Sequence, residues 1–271
     1  MKRYFWFVPM FLVVFLVYGY VETFHVRVTH RTIQEPKLVE VLHGKTIAHL
    51  SDLHMTALGY REKKVLDFLE HLKPDIIVLT GDYIGWSGNA GPSLEFLAKL
   101  RARRGVYAVM GDYDYSVSRQ SCLFCHKTGS GEPTQALGVH MLKNKMETIG
   151  VNGGELRILG LDEADRDSDL SGIFTDLASD KKPSIVLSHN PLRFDDFQND
   201  IPLLMLAGDT HGGQLPLPAF VWGILGYEKN AQYNKGLFQD GRKIMVVSRG
   251  IGTSHVPFRL FCPPEIVVYH F

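Results

Sequence analysis

The sequence predicts an α/β fold in which two β-sheets pack against each other with helices on the outside. Apolar runs of strand character alternate with helical patterns in the first half of the chain, and the second half contains mainly strand patterns. The 271 residues are 45% hydrophobic and 21% charged, which is enough for one large domain with a substantial core. The formal net charge of +0 and the pI near 7.2 give no support for nucleic-acid binding.

The first half predicts parallel strands joined by crossover helices. Residues 46–50, 75–80 and 105–110 are largely apolar, as expected of strands that are covered on both faces. Residues 61–72 and 93–103 lie between these strands and carry apolar side chains at helical spacing. The alternation of strand and helix is typical of parallel crossover units.

The second half adds further strands to the same domain. The predicted strands are 156–160, 184–187, 203–206, 243–247 and 266–270, with one helix at about 170–178. We therefore expect three parts: an N-terminal helix at 1–22, a connector and leading strand at 23–44, and a single domain at 45–271.

The N-terminal segment has the composition of a membrane helix. Lys2 and Arg3 precede residues 4–21, which carry no charge, and Glu22 closes the run. Because a helix needs roughly 17–25 apolar residues to cross a bilayer, we predict a retained transmembrane signal anchor. A cleaved signal peptide is the alternative, but no Ala-x-Ala-like site follows the run.

Polar clusters follow the strand-like runs and end in carboxylates or imidazoles. The chemistry-bearing residues are Asp52, His54, Asp82, Asp112, His189, Asp209 and His211. Strands that deliver such groups to one edge of a sheet build a two-metal hydrolytic centre. The sequence therefore predicts a metal-dependent hydrolase.

The order of these motifs resembles the calcineurin-like metallophosphoesterase family. The motifs are Asp-x-His at 52–54, Gly-Asp at 81–82, Gly-x-x-Asp at 111–114, His-Asn-Pro at 189–191 and Gly-x-Thr-His-Gly-Gly-Gln at 208–214. Residues 248–254 and 259–265 resemble the membrane-anchored bacterial branch, which includes phosphodiesterases and the UDP-2,3-diacylglucosamine pyrophosphatases of lipid A synthesis. The resemblance implies a four-layer α/β/β/α sandwich of two mixed sheets, located at a bacterial cytoplasmic membrane.

The resemblance also implies how two divalent metal ions are held. The first metal would take Asp52, His54, Asp82 and His211, and the second would take Asp82, Asp112, His189 and Asp209. Oxygen and imidazole ligands suit Mn²⁺ best, with Fe, Mg or Zn as alternatives. Asp82 would bridge the ions, and Asn190 would orient His189 or contact a phosphate.

Three residues depart from the family pattern. The family usually has Asn at position 112, His at 113 and His at 209, where this chain has Asp112, Tyr113 and Asp209. Both replacements on the second metal keep side chains that can bind a cation, so metal retention is favoured over an inactive relative. A general acid matters most when the leaving oxygen is strongly basic, so Tyr113 in place of His favours cleavage of a phosphoanhydride.

The expected substrate is a lipid or a nucleotide-linked lipid at the membrane. Residues 215–227 are apolar and broken by prolines and glycines, and they follow the last ligand motif. They either cover the core or receive acyl chains, and Tyr115 and Arg193 are candidates for substrate contact. The best specific candidate is UDP-2,3-diacylglucosamine, and the alternative enzyme is a broad-specificity phosphodiesterase or phosphatase at the membrane.

One further motif suggests a different class of protein. Cys122-x-x-Cys125-His126 matches the pattern for covalent haem attachment, which would fit a non-catalytic, redox or haem-binding membrane protein. Haem is disfavoured because no second haem motif or distal ligand is visible. A local disulfide or a pair of reduced thiols is the preferred interpretation of these cysteines.

Overall fold

The computed structural model describes residues 7–85, 89–115, 137–163, 170–254 and 256–271. Its first sheet has the strand order β1-β12-β2-β3-β4-β5. All neighbours in it are parallel except the antiparallel pair β12 and β2. The strands are β1 Arg27–Thr32, β2 Thr46–Leu50, β3 Ile76–Thr80, β4 Val106–Val109, β5 His140–Met141 and β12 Glu265–His270.

The second sheet has the strand order β10-β11-β9-β8-β7-β6. Its central strands are parallel, and the two outer pairs, β10 with β11 and β6 with β7, are antiparallel. The strands are β6 Lys145–Val151, β7 Gly154–Gly160, β8 Ser184–Ser188, β9 Leu203–Ala207, β10 Gly236–Asp240 and β11 Lys243–Val247. Both sheets are therefore mixed, as predicted.

Three of the helices in the described residues cover the outer faces of the sheets. The described helices are α1 Phe7–Glu22, α2 Pro36–Leu42, α3 Tyr60–Leu72, α4 Gly91–Leu97, α5 Ser171–Asp180, α6 Ala219–Ile224 and α7 Glu228–Gln232. The apolar side chains of α3 and α4 pack on the first sheet, and Leu177 of α5 packs on the second. A third apolar cluster joins the facing sides of the sheets, for example Val78 with Leu187 and Leu206. The prediction of two packed sheets with outer helices is confirmed.

Several local predictions differ from the structure. The second crossover helix ends at Leu97 rather than at 103, because the chain turns there through short-range bonds such as Lys99 N to Phe96 O at 3.0 Å. The predicted connector contains helix α2, whose N-cap Glu35 accepts a hydrogen bond from Leu38 N at 2.9 Å. Strands β6 and β10 were not predicted, and both are half-exposed outer strands with weak apolar patterns.

The predicted transmembrane helix is not found in the described part of the chain. Helix α1 has 16 residues, and none of the helices described is long and apolar enough to cross a membrane. Instead α1 lies against the domain, where the ring of Phe15 is 5.5 Å from that of Phe258 and Gly19 O accepts a bond from Arg259 N at 3.0 Å. The Cys122-x-x-Cys125-His126 motif lies outside the described residues.

Candidate metal centre

The predicted ligands lie just after the carboxyl ends of neighbouring strands. Asp112 and His211 begin short 3-10 segments, Asp112–Asp114 and His211–Gly213, and a third such segment, Pro191–Asp196, follows His189. Left-handed backbone angles, with φ between 41° and 71°, occur at Asp52, His54, Asp82, Asp209 and His211. Non-glycine residues adopt this conformation only where the surrounding structure imposes it, and such residues concentrate at functional sites.

The first cluster brings together Asp52, His54 and His211, all buried. The Nε2 atoms of the two histidines are 3.0 Å apart, and His211 Nε2 is 3.5 Å from Asp52 Oδ1. All three residues offer ligand atoms within 4.8 Å of one another. Two imidazoles and a carboxylate that converge in this way form a cation site.

The second cluster shares Asp52 with the first. Asp52, Asp82 and His189 offer ligand atoms within 4.8 Å of one another. Asp82 Oδ1 is 3.5 Å from His189 Nε2, while its Oδ2 is 3.3 Å from His54 Nε2. Asp82 therefore faces both clusters, in the place predicted for a bridging ligand. Asp112 Oδ1 lies 3.8 Å from His189 Nε2, at the open side of this cluster.

The hydrogen bonds of His189 prepare it to bind a cation. Its Nδ1 is 2.7 Å from the carbonyl oxygen of Thr80, and a carbonyl can only accept, so Nδ1 carries the proton. Nε2, which lies 3.5 Å from Asp82 Oδ1, is then the ring atom that would offer its lone pair to a cation. This Nε2 and Asp52 Oδ2 are buried and have no hydrogen-bond partner within the described part of the chain. Orphaned, converging lone pairs of this kind fit divalent cations.

The electrostatics of the centre also fit a cation site. Burial raises the pKa of Asp52 to about 6 and that of Asp82 well above its usual value. Burial lowers the pKa of His54 to about 3. Burial alone would also lower the pKa of His189, but the carboxylates around it, led by Asp82, raise that pKa to about 10. The carboxyl groups of Asp52 and Asp82 are thus crowded in a buried place, where a bound cation would stabilise their negative charges.

Asp114 was not assigned a role by the sequence analysis, although it closes the Gly-x-x-Asp motif. Its fully buried carboxylate accepts backbone N–H bonds from Asp82 at 2.7 Å, Tyr83 at 2.7 Å and Gly111 at 2.8 Å. It therefore ties the Asp82 turn to the Asp112 turn. The turns approach so closely that a Cβ on Gly111 would lie 2.1 Å from Asp82 Oδ1. The Asp114 bonds and the close approach at Gly111 both fix the position of Asp82.

Asp209, predicted as a ligand of the second metal, is paired with a lysine, and its ligand role stays a prediction. Its Oδ2 forms an ion pair with Lys229 of α7, while its backbone N donates to Asp52 Oδ1 at 3.0 Å. Lys229 was not singled out from the sequence, because no motif surrounds it. Tyr113 and Asn190 both line the cavity beside the clusters. The ring of Tyr113 packs edge-on against His54 with centroids 4.8 Å apart, and Asn190 Oδ1 accepts from Leu192 N at 3.0 Å.

Tyr115 and Arg193 are the predicted substrate contacts that the structure places elsewhere. Tyr115 is 7% exposed and its hydroxyl donates to Asp162. Arg193 Nε pairs with Asp196 Oδ2 at 2.5 Å. Neither residue is among the described residues that line the cavity. Their predicted role in binding substrate gains no support from this placement.

A cavity of about 1020 Å³ opens above the two clusters. Its lining includes the polar residues His54, Asp82, Asp112, Asp209 and His211. It also includes a set of apolar residues, Phe15 and Leu16 of α1, Leu215, Trp222 and Tyr227 of the segment after the last ligand turn, and Val256 and Phe258. The predicted apolar segment 215–227 is thus part of the wall of the candidate site.

Comparison with known proteins agrees with this geometry. Residues 45–213 match the model of the calcineurin-like phosphoesterase family. The chain belongs to that family. It is a metal-dependent phosphoester hydrolase, and its two candidate clusters imply divalent metal ions.

Similar proteins extend over almost the whole chain. A metallophosphoesterase of Aquifex aeolicus is 31% identical over 96% of this chain and 97% of its own length. The UDP-2,3-diacylglucosamine pyrophosphatase LpxG of Chlamydia trachomatis is 29% identical over 89% of this chain and 87% of its own. The phosphodiesterase YaeI of Escherichia coli is 28% identical over 72% of this chain and 70% of its own.

Proposed function

We propose that this protein hydrolyses the phosphoanhydride bond of a lipid-linked nucleotide at a bacterial membrane, with UDP-2,3-diacylglucosamine as the best candidate. The observation that carries the proposal is the mixed lining of the cavity. Residues of the candidate metal clusters and a set of apolar side chains line the same pocket. A substrate with a charged diphosphate and acyl chains matches both kinds of lining at once.

The apolar wall continues onto an exposed surface. Phe220 is 70% exposed and Ile224 is 80% exposed on α6, and Phe261 is 67% exposed near the end of α1. Much of α1 also presents large apolar side chains to the outside. Exposed apolar surface beside a binding cavity is typical of proteins that contact lipid. The same surface supports a position at the cytoplasmic membrane.

Two divalent ions, with Mn²⁺ as our first choice, would be held by Asp52, His54 and His211 on one side and by Asp82, His189 and Asp112 on the other. Bound there, such ions supply Lewis-acid stabilisation of phosphoryl oxygens and an activated water. The protein fixes the tautomer of His189 through Thr80 and the position of Asp82 through Asp114. These contacts remove conformational freedom before the substrate binds.

Tyr113 and Asn190 are proposed to assist from the rim of the clusters. The Tyr113 hydroxyl would donate a hydrogen bond to a phosphoryl oxygen, since its ring is already held against His54. Asn190 accepts from Leu192 N through Oδ1, so its Nδ2 is the donor directed to substrate or to His189. Neither group is a strong acid, and this favours a leaving group that departs without protonation, such as a phosphate.

A phosphodiesterase of broad specificity is the second candidate, and the similarity to YaeI supports it. Purified full-length chain loaded with Mn²⁺ would be assayed in mixed micelles with UDP-2,3-diacylglucosamine, UDP-N-acetylglucosamine and bis(p-nitrophenyl) phosphate. Our proposal expects kcat/KM for the diacylated nucleotide to exceed that for UDP-N-acetylglucosamine at least about a hundredfold, because acyl burial adds binding energy. Equal rates on all three would favour the phosphodiesterase, and turnover of none would refute both.

A matched pair of variants tests the wall directly. Phe15→Ala removes an aromatic ring from the cavity, while Tyr60→Ala removes an exposed aromatic ring from α3, which does not line the cavity. We expect Phe15→Ala to raise KM for the diacylated substrate and leave KM for bis(p-nitrophenyl) phosphate unchanged. The Tyr60→Ala variant should behave as wild type in micelles with both substrates.

A further inference from the structure

The charges that line the cavity are almost all negative. Among the described lining residues the carboxylates are Asp82, Asp112, Asp209 and Glu228, and Lys229 is the only lysine or arginine. A phosphoryl substrate brings more negative charge into this pocket. The single ammonium group is therefore well suited to contact it.

Lys229 is held in place by two sets of contacts. Its Nζ pairs with Asp209 Oδ2, and about a third of its side chain (30%) remains exposed. The next residue, Asn230, is buried, and its Nδ2 donates to Thr210 O at 2.9 Å. This bond fastens helix α7 to the turn that carries His211. The ammonium group is thus fixed relative to the metal clusters and still accessible from the cavity.

The charge balance of the centre explains why such a group is needed. Asp52, Asp82, Asp112 and Asp209 would together neutralise two divalent ions and leave no net positive charge to attract a phosphate. Pairing Asp209 with Lys229 removes one of these carboxylates from the balance. The centre then regains a net positive charge on the side of the second cluster.

We propose that Lys229 binds the phosphoryl oxygens of the substrate beside the second cluster, and that Asp209 positions this lysine instead of binding a metal. The inference deepens the proposed function and rests on it for the substrate class. An ammonium group is a compact donor of three hydrogen bonds and a common phosphate ligand in proteins. Asp209 would serve as its acceptor while the substrate takes the remaining N–H groups.

The test measures anion binding without turnover. Inorganic phosphate would be titrated by calorimetry into Mn²⁺-loaded wild type, Lys229→Met, Lys229→Arg, Asp209→Asn and Lys182→Met. Lys182 is the matched control, because it pairs with Glu155 at 2.9 Å and does not line the cavity. Bound metal would be counted by elemental analysis, and the thermal melting temperature would confirm folding.

We expect Lys229→Met to weaken phosphate binding about tenfold or more, with Lys229→Arg largely restoring it and Lys182→Met unchanged. Asp209→Asn should weaken phosphate binding while metal content and melting temperature stay at wild-type values. Equal phosphate affinity in Lys229→Met and Lys182→Met would overturn the role of Lys229. Loss of bound metal in Asp209→Asn would overturn the role of Asp209.

Phosphate binding separates this inference from the substrate assignment. If the lipid assay fails and Lys229→Met still loses phosphate, the lysine binds phosphoryl groups in an enzyme with another substrate. If lipid turnover is found and phosphate affinity is unaffected, the proposed function stands and the inference about Lys229 is wrong.

Discussion

The two metal clusters use similar residues in different surroundings. Asp52, His54 and His211 of the first cluster are each at most 6% exposed. In the second cluster His189 is equally buried, but the side chain of Asp112 is 33% exposed and Asp209 is paired with Lys229. Both clusters line the cavity, the first through His54 and His211 and the second through Asp82 and Asp112. The first is the more buried and is rich in imidazole, whereas the second is rich in carboxylate and more exposed at Asp112. We infer that the first would hold its ion more tightly and that substrate would reach the second through Asp112.

The largest effect is expected at Asp82, the carboxylate that faces both clusters. Asp82→Asn keeps the shape of the side chain and removes its charge, so both sites would lose the negative charge between them. Activity on any phosphoester substrate should fall about a thousandfold, since bound ions would supply several kcal/mol of transition-state stabilisation. Asp67→Asn, at an exposed position of α3, is the control. Activity close to that of the control would show that Asp82 is not needed to hold the ions.

A smaller effect distinguishes the clusters from each other. Asp112→Ala should weaken the second Mn²⁺ site about 10–100-fold and leave the first unchanged. His211→Ala should weaken the first Mn²⁺ site by a similar factor and leave the second unchanged. Metal titration followed by electron paramagnetic resonance would resolve the two affinities. If Asp112→Ala leaves both affinities unchanged, the open side of the second cluster does not bind metal.

The pH dependence of metal binding should also differ between the clusters. In the metal-free protein the pKa of His189 is raised to about 10 and that of His54 is lowered to about 3. Between pH 7 and 9 an ion must displace a proton from His189 but none from His54. The second affinity should therefore rise about tenfold per pH unit, and the first should stay flat. Parallel pH profiles for both sites would contradict this assignment.

The smallest effect is expected at Tyr113. Tyr113→Phe keeps the packing against His54 and removes one hydrogen-bond donor. Turnover of the diacylated nucleotide should fall only about two- to tenfold, the value of one neutral hydrogen bond. A loss of a hundredfold or more would instead identify the tyrosine as a general acid, and the preference for a phosphoanhydride would lose its support.

The sequence was sufficient to predict two packed sheets and five of the residues that the structure brings together in the candidate clusters. His189 and Asp82 follow buried apolar strands, and such strands place their ends at one edge of a sheet. Lys229 could not be found in this way, because it lies on a five-residue helix and reaches the centre only through tertiary packing. Tyr115 illustrates a related difficulty. It adjoins a ligand turn in the sequence, but the direction of its side chain is decided by the bond to Asp162.

Helix α1 was predicted from its apolar composition, and in the structure two of its apolar side chains line the cavity. Because Phe15 and Leu16 are part of the apolar lining of the cavity, a shortened protein that begins after Glu22 would lose part of that lining while retaining every candidate ligand. If the chain acts on acylated nucleotides as proposed, the truncated form should still cleave small soluble phosphodiesters, but it should discriminate less between acylated and deacylated nucleotides. Screens that use only the trimmed domain would then assign a broader specificity than screens of the intact chain.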